Sequence, residues 1–329
     1  MNGKWVLWLI VPLLLAGCGG EREPEFWIYT SVYKEVFPLF EPGLQQAFPG
    51  VRFRWYQSGS EKIAAKILAE QKGGGTKADL IMTSDLFFYQ ELKRMNLLVP
   101  LEGAELERVP SEYRDPDRAF AINRFPVMVL AYNTDSLSET QAPRRWQDLV
   151  DPKFAGKITM PSPLESGSTL TAILFLYQNF GEAYFEGLRQ NDVLSAGGNG
   201  ATLSRIQTGE RPVGMVLMEN ILKVKDDGMT SVDFVVPEEG AFPIPSPVAL
   251  VKGTDEVLGQ RVLNWFLSEN AQEIVVKGWV HSVFEDAPAP QGAPVWADLK
   301  LADWDMATFE RWSGQRQHVK TRFQQIVLH

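Results

Sequence analysis

The chain has 329 residues, 45% of them hydrophobic and 22% charged, and its 41 acidic side chains against 32 basic ones leave a formal net charge of −9. A surplus of that sign repels a phosphate backbone, which disfavours nucleic acid as a partner. Cys18 is the single cysteine, so no intramolecular disulfide can form and stability must come from a hydrophobic core.

Lys4 precedes an apolar run over residues 5–16 that is too short to span a bilayer comfortably and is followed by small residues, the layout of a signal peptide. The run closes in Leu14-Leu15-Ala16-Gly17-Cys18, which resembles the bacterial lipobox. That resemblance implies a signal peptide over residues 1–17, lipid on Cys18, and a small, polar tether over residues 18–25. No later stretch approaches the roughly 20 apolar residues of a membrane helix, so membrane contact is expected through the lipid. About 310 residues remain, enough for about two domains.

From Phe26 short β-rich runs alternate with helical ones. Residues 26–29 read as a strand and 34–48 as a helix interrupted near Pro42-Gly43. Residues 51–56 alternate as a second strand, 61–71 form a helix, and Gly73-Gly74-Gly75 is a connector, not a phosphate loop, because it leads into a strand at 78–82. A helix over 86–95 completes a βαβαβα series, which points to an α/β fold with mixed, mostly parallel sheets. The strand-rich passage 118–133 reads as a crossing to a second α/β lobe, with strands at 157–160, 213–218 and 232–236 and helices at 169–178 and 202–208. The proline-rich run 242–247 and the strand 248–251 read as the return, and 257–267 and 304–327 as the clearest C-terminal helical pieces. Lobe 1 is thus expected over 26–122 and 245–285, and lobe 2 over 123–244 and 286–329.

The run from Trp146 to Ile158, WQDLVDPKFAGKI, resembles the segment after the hinge in type II periplasmic solute-binding proteins of the ferric-ion, 2-aminoethylphosphonate and sugar-phosphate group. Tyr29-Thr30-Ser31, Ala78-Asp79-Leu80, Ala131-Tyr132-Asn133-Thr134 and Thr208-Gly209-Glu210 follow the same family order. The resemblance implies two lobes that close on a solute held between them and present it to the permease subunits of an ABC importer. A monomer without a cofactor is expected. A solute-sensing partner of a membrane kinase would use the same closed state.

Ferric-ion members hold the metal with a pair of adjacent tyrosines, but the matching place here reads Met218-Glu219-Asn220. Tyr33 lies near a first-lobe ferric position, yet one tyrosine cannot replace the set, and no cluster at metal-ligand spacing accompanies it. Ferric ion is therefore kept as the alternative cargo. The stronger constellation is Ser166-Gly167-Ser168-Thr169, a small, hydroxyl-rich turn feeding an apolar helix, whose N–H groups and hydroxyls suit a phosphate or carboxylate. Helix capping alone would also explain these residues. Phosphonate- and sugar-phosphate-binding members carry a similar turn, so the resemblance favours a small anionic organic solute. Thr30, Ser31, Ser58 and Ser84 are expected to add donors from the first lobe, and Asn199 and Glu219 contacts from the second. Glu165 beside the turn would repel an anion unless it points away. No nucleophile elbow, zinc signature or paired catalytic motif appears, and His281 and His318 offer little to a triad, so catalysis is not expected.

Overall fold

A computed structural model of the protein describes residues 23–328. The signal segment, the lipobox and Cys18 lie outside the described residues. Strand β1 (Glu25–Thr30) is followed by helix α1 (Phe37–Ala47), β2 (Arg52–Gln57), α2 (Ser60–Lys72), β3 (Leu80–Met82), α3 (Leu86–Arg94), β4 (Leu98–Val99) and the short α4 (Ala104–Arg108). The chain then runs through β5 (Ala121–Phe125) and, past Pro126, β6 (Val127–Asn133). Next come β7 (Ile158–Met160), α5 (Gly167–Phe180), α6 (Glu182–Gln190), β8 (Leu194–Ser195), α7 (Asn199–Gln207), β9 (Val213–Leu217), α8 (Met218–Asp226), β10 (Val232–Val235) and β11 (Phe242–Pro243). It closes with β12 (Ser246–Val251), α9 (Glu256–Leu267), α10 (Glu269–Lys277), β13 (His281–Ser282), α11 (Met306–Ser313) and α12 (Arg316–Val327).

These strands form two sheets. The first runs β13-β5-β12-β3-β1-β2 with β4 beside β12, and the second β10-β6-β9-β7-β8 with β11 beside β6. The chain changes sheet at Pro126 and again between Pro243 and Ser246, so β5–β6 and β11–β12 are the two crossings. The βαβ units pair in parallel, β1 with β2 and β3, and β7 with β8 and β9. The expectation of mostly parallel sheets is corrected, because the crossing strands run against their neighbours: β12 is antiparallel to β3, β4 and β5, and β6 to β9, β10 and β11.

Helix α1 continues through Pro42-Gly43, where the sequence predicts a break. Gly43 sits so close to α9 that a Cβ there would stand 2.7 Å from Trp265 Cζ2, and tertiary packing overrides the local breaker pair. In the second sheet the indole of Trp146 stacks on Phe242 at 4.3 Å and donates to the Gly240 carbonyl, while Phe175 stacks on the same Phe242 at 4.9 Å. The Trp146 run therefore fastens β11, at the return crossing, to α5. The C-terminal helices divide their contacts: α11 packs on α3 beside the first sheet, and α12 on α5 and α6 beside the second. Among the described residues no helix is long and apolar enough to cross a membrane.

Candidate functional site

A cavity of about 230 Å³ lies between the two sheets, lined on one side by Ser31, Ser58, Ser60 and Ser84 and on the other by Ser166, Ser168, Asn199 and Glu219. Ser31, Ser58 and Ser84 follow the carboxyl ends of β1, β2 and β3, where the loops of an open α/β sheet converge. Ser31 and Ser84 are held together, with Ser60 and Ser246. The Ser84 N–H donates to Ser31 Oγ at 3.1 Å and to Ser60 Oγ at 3.3 Å, and Ser246 Oγ lies 2.8 Å from Ser84 Oγ.

Five helices start at the lining of this cavity. The N-cap positions are Val36 for α1, Gly59 for α2, Ser166 for α5, Gly198 for α7 and Leu217 for α8. Each start leaves backbone N–H groups without an intrahelical partner, so positive potential accumulates at the cleft. Ser166 Oγ accepts the Thr169 N–H at 3.3 Å and lies 2.9 Å from Ser168 Oγ, so the same serine caps α5 and lines the cavity. The Asn199 amide reaches Ser168 Oγ at 3.3 Å, while its Oδ1 is buried without a protein partner. Glu165 also lines the cavity, with its carboxylate engaged: it accepts the Gly197 N–H at 3.1 Å and pairs with Lys62 at 3.6 Å.

Arg124, on β5, is the cation of the site. It is 4% exposed, it lines the cavity, and among the described residues no carboxylate lies within ion-pair distance of it. Its side-chain partner is Asn123 Oδ1, at 3.4 Å. Burial pulls its pKa down to about 10, still charged at neutral pH. Glu219, in the first turn of α8, is buried too, and desolvation pushes its carboxyl up to about 8. At neutral pH that group is mostly a neutral acid, able to donate a hydrogen bond. Tyr33 spans the cleft, its hydroxyl 2.9 Å from the Asn220 amide nitrogen and 3.1 Å from its oxygen, and burial raises the phenol further from ionisation.

Of the residues predicted from the sequence, Ser31, Ser58, Ser84, Ser166, Ser168, Asn199 and Glu219 line the cavity. Thr30, Gly167 and Thr169 lie behind it. Thr30 Oγ1 donates to the Met82 carbonyl at 2.8 Å and accepts the Val32 N–H at 3.0 Å, tying β1 to β3. Gly167 packs against Asp85, Ser60 and Ser84, and Thr169 is fully buried in α5. Sequence reasoning missed Arg124 and Asn123. A charged residue inside the buried run Ala121–Phe125 was the available signal, since an arginine is rarely placed there without a partner. His281 lies outside the cavity lining, against Trp296 at 5.3 Å, where burial depresses its pKa to about 4. Among the described residues no three His, Cys, Asp or Glu side chains form a metal-holding group.

Two sheets exchanging strands at two crossings, with loops and helix starts facing a half-open cavity between them, define the two-lobed architecture of the periplasmic-binding-protein class. The chain belongs to the bacterial extracellular solute-binding protein family, whose model matches residues 75–308. It is 24% identical to the periplasmic binding protein AfuA from Actinobacillus pleuropneumoniae, solved with fructose 6-phosphate bound, with a TM-score of 0.81 over 93% of this chain and 99% of that one. It is similar as well to iron-bound HitA from Pseudomonas aeruginosa, 18% identical, with a TM-score of 0.80 over 91% of this chain and 99% of that one. A putative 2-aminoethylphosphonate-binding periplasmic protein of Salmonella typhi is 23% identical over 68% of this chain and 66% of its own length.

Proposed function

We propose that this chain is the solute-capturing component of an ABC importer, held at the membrane by lipid on Cys18 after removal of a signal peptide, and that its cargo is a small organic anion carrying a phosphonate or phosphate. Arg124 carries the reading. A buried guanidinium without a carboxylate partner pays its desolvation in the free protein and recovers it when an oxyanion arrives, and it presents a planar fork that matches such a group. The serines of both lobes, the Asn199 amide and the converging helix starts supply further donors, and a neutral Glu219 adds a donor instead of a repelling charge. A phosphonate- and a sugar-phosphate-binding relative support this class of cargo. The protein acts as a monomer whose two lobes close on its solute.

Ferric ion is the second reading, favoured by the likeness to iron-bound HitA and by Tyr33 in the cavity lining. Tyr33 is hydrogen-bonded to Asn220 and is the one tyrosine among the described residues that line the cavity, short of the set of oxygen ligands a ferric ion needs. A thermal-shift panel on the full chain separates the two. Cargo at about 100 times its dissociation constant adds about 2.7 kcal/mol. Stabilisation by phosphonates or sugar phosphates and none by ferric citrate is expected; the reverse result removes the anion reading.

A further inference from the structure

The cavity is chemically divided. Its polar side holds Arg124 and the serines, but the wall where α1 meets α10 is made of Val36, Phe40, Val275, Gly278 and Val280, with Met82 beside them. None of these side chains can donate a hydrogen bond, and the nearby Tyr33 hydroxyl is already paired with Asn220. Val36, Phe40 and Val275 are 5%, 2% and 6% exposed, so the wall belongs to the core as much as to the cavity. Gly278 holds the wall tightly: a Cβ there would meet both methyls of Val36 at 3.3 Å.

A solute body that bristles with hydroxyls would leave water for this wall and find no replacement partners, whereas a hydrocarbon or aromatic body gains by the same transfer. We infer that the solute joins its anionic head to an apolar, hydroxyl-poor body, the class of alkyl and aryl phosphonates and phosphate monoesters, with the body on the Val36-Phe40-Val275 wall and the head at Arg124. This inference rests on the anion-capture reading and narrows it, because a hexose phosphate fits the head site and not the wall.

The test is titration calorimetry on the full chain with phenylphosphonate, methylphosphonate and glucose 6-phosphate. Phenylphosphonate is expected to bind at least tenfold tighter than either of the others. Val36→Thr, nearly the same shape but with a hydroxyl in the wall, is expected to weaken phenylphosphonate about fivefold and leave methylphosphonate unchanged. Glucose 6-phosphate binding as tightly as phenylphosphonate, or a Val36→Thr effect equal for both phosphonates, overturns the apolar-body inference and leaves anion capture standing. If all three fail to bind while ferric citrate does, the anion reading falls and this inference falls with it.

Discussion

Gly167 and Asp85 meet across the cleft so closely that a Cβ on Gly167 would stand 2.5 Å from the Asp85 Cβ. A second contact of the same kind lies beside it, where a Cβ on Gly59 would stand 2.7 Å from the Glu165 carbonyl oxygen. These two glycines let the start of α5 and the start of α2 come together beside the cavity. Gly167→Ala is expected to obstruct closure while sparing the folded lobes. Overpacking of this kind costs about 1–3 kcal/mol, which would weaken solute binding by about 5- to 150-fold. Calorimetry against the identified solute, alongside the melting temperature of the solute-free protein, checks it. An unchanged affinity would mean that the lobes need not approach this closely to hold their cargo.

Arg124→Gln tests the head site in two opposed ways. Losing the partner of a desolvated anion should cost about 2–5 kcal/mol of binding, at least a thirtyfold loss. The solute-free protein should be as stable as before or more so, because a buried unpaired charge has been removed. Arg124→Lys should recover little of the affinity, since an ammonium cannot reproduce the planar fork. A variant that loses stability and affinity together would make Arg124 a structural residue.

The βαβ series was readable along the chain because each element carries its own period and its own turn residues: Gly73-Gly74-Gly75 ends α2, and the alternation of Arg52–Gln57 marks an edge strand. The antiparallel share of the sheets was not readable, since no local signal says which way β12 runs beside β3. The helix Met218–Asp226 was missed because Met218 continues the apolar run of β9 and the helix begins without a side-chain cap. At the site, loops after strands could be named from Ser, Gly and Asn in turn positions. Thr30 shares that chemistry but spends it inside the fold, and Thr169 is buried in α5 with its hydroxyl unpartnered, so only the three-dimensional arrangement separates them from the lining residues. Arg124 arises from the crossing strand, where neither capping nor turn chemistry draws attention.

Glu219 should write a pH signature on the solute-free protein. Its folded-state pKa is raised from 4.5 to about 8 by burial, so its favourable contribution is complete below the unfolded value and is lost as pH rises through 8. Glu219→Gln keeps the shape and removes the titration. The melting temperature of the variant should therefore gain on that of the parent chain steadily from about pH 5 to about pH 9. Parallel curves over that range would show that the carboxyl is already ionised when the cleft is empty.

Behind the cavity serines lies an ion-pair cluster that ties the C-terminal helix to the first lobe. The Arg316 guanidinium reaches Glu61 at 2.6 Å and Asp85 at 2.7 Å, and Lys320 reaches the other oxygen of Glu61 at 2.5 Å. Asp85 is fully buried and Glu61 nearly so, and each follows a serine of the cavity, Ser84 and Ser60. Burial first, and then the charge of Asp85, already raise the Glu61 pKa. Because α12 packs on α5 and α6, the cluster joins material from both sides of the cleft. Arg316→Met would leave two desolvated carboxylates facing each other with Lys320 as their remaining close cation, and removing one partner of a buried pair costs about 3–5 kcal/mol. The Glu61 carboxyl, already raised by burial, would lose the guanidinium that holds it down, so the loss should be greatest at alkaline pH and should shrink as acid neutralises that group. Urea denaturation of the two proteins at about pH 8 and about pH 5 reads this directly. A loss of equal size at both pH values would assign the effect to lost packing of the arginine stem and not to the stranded charges.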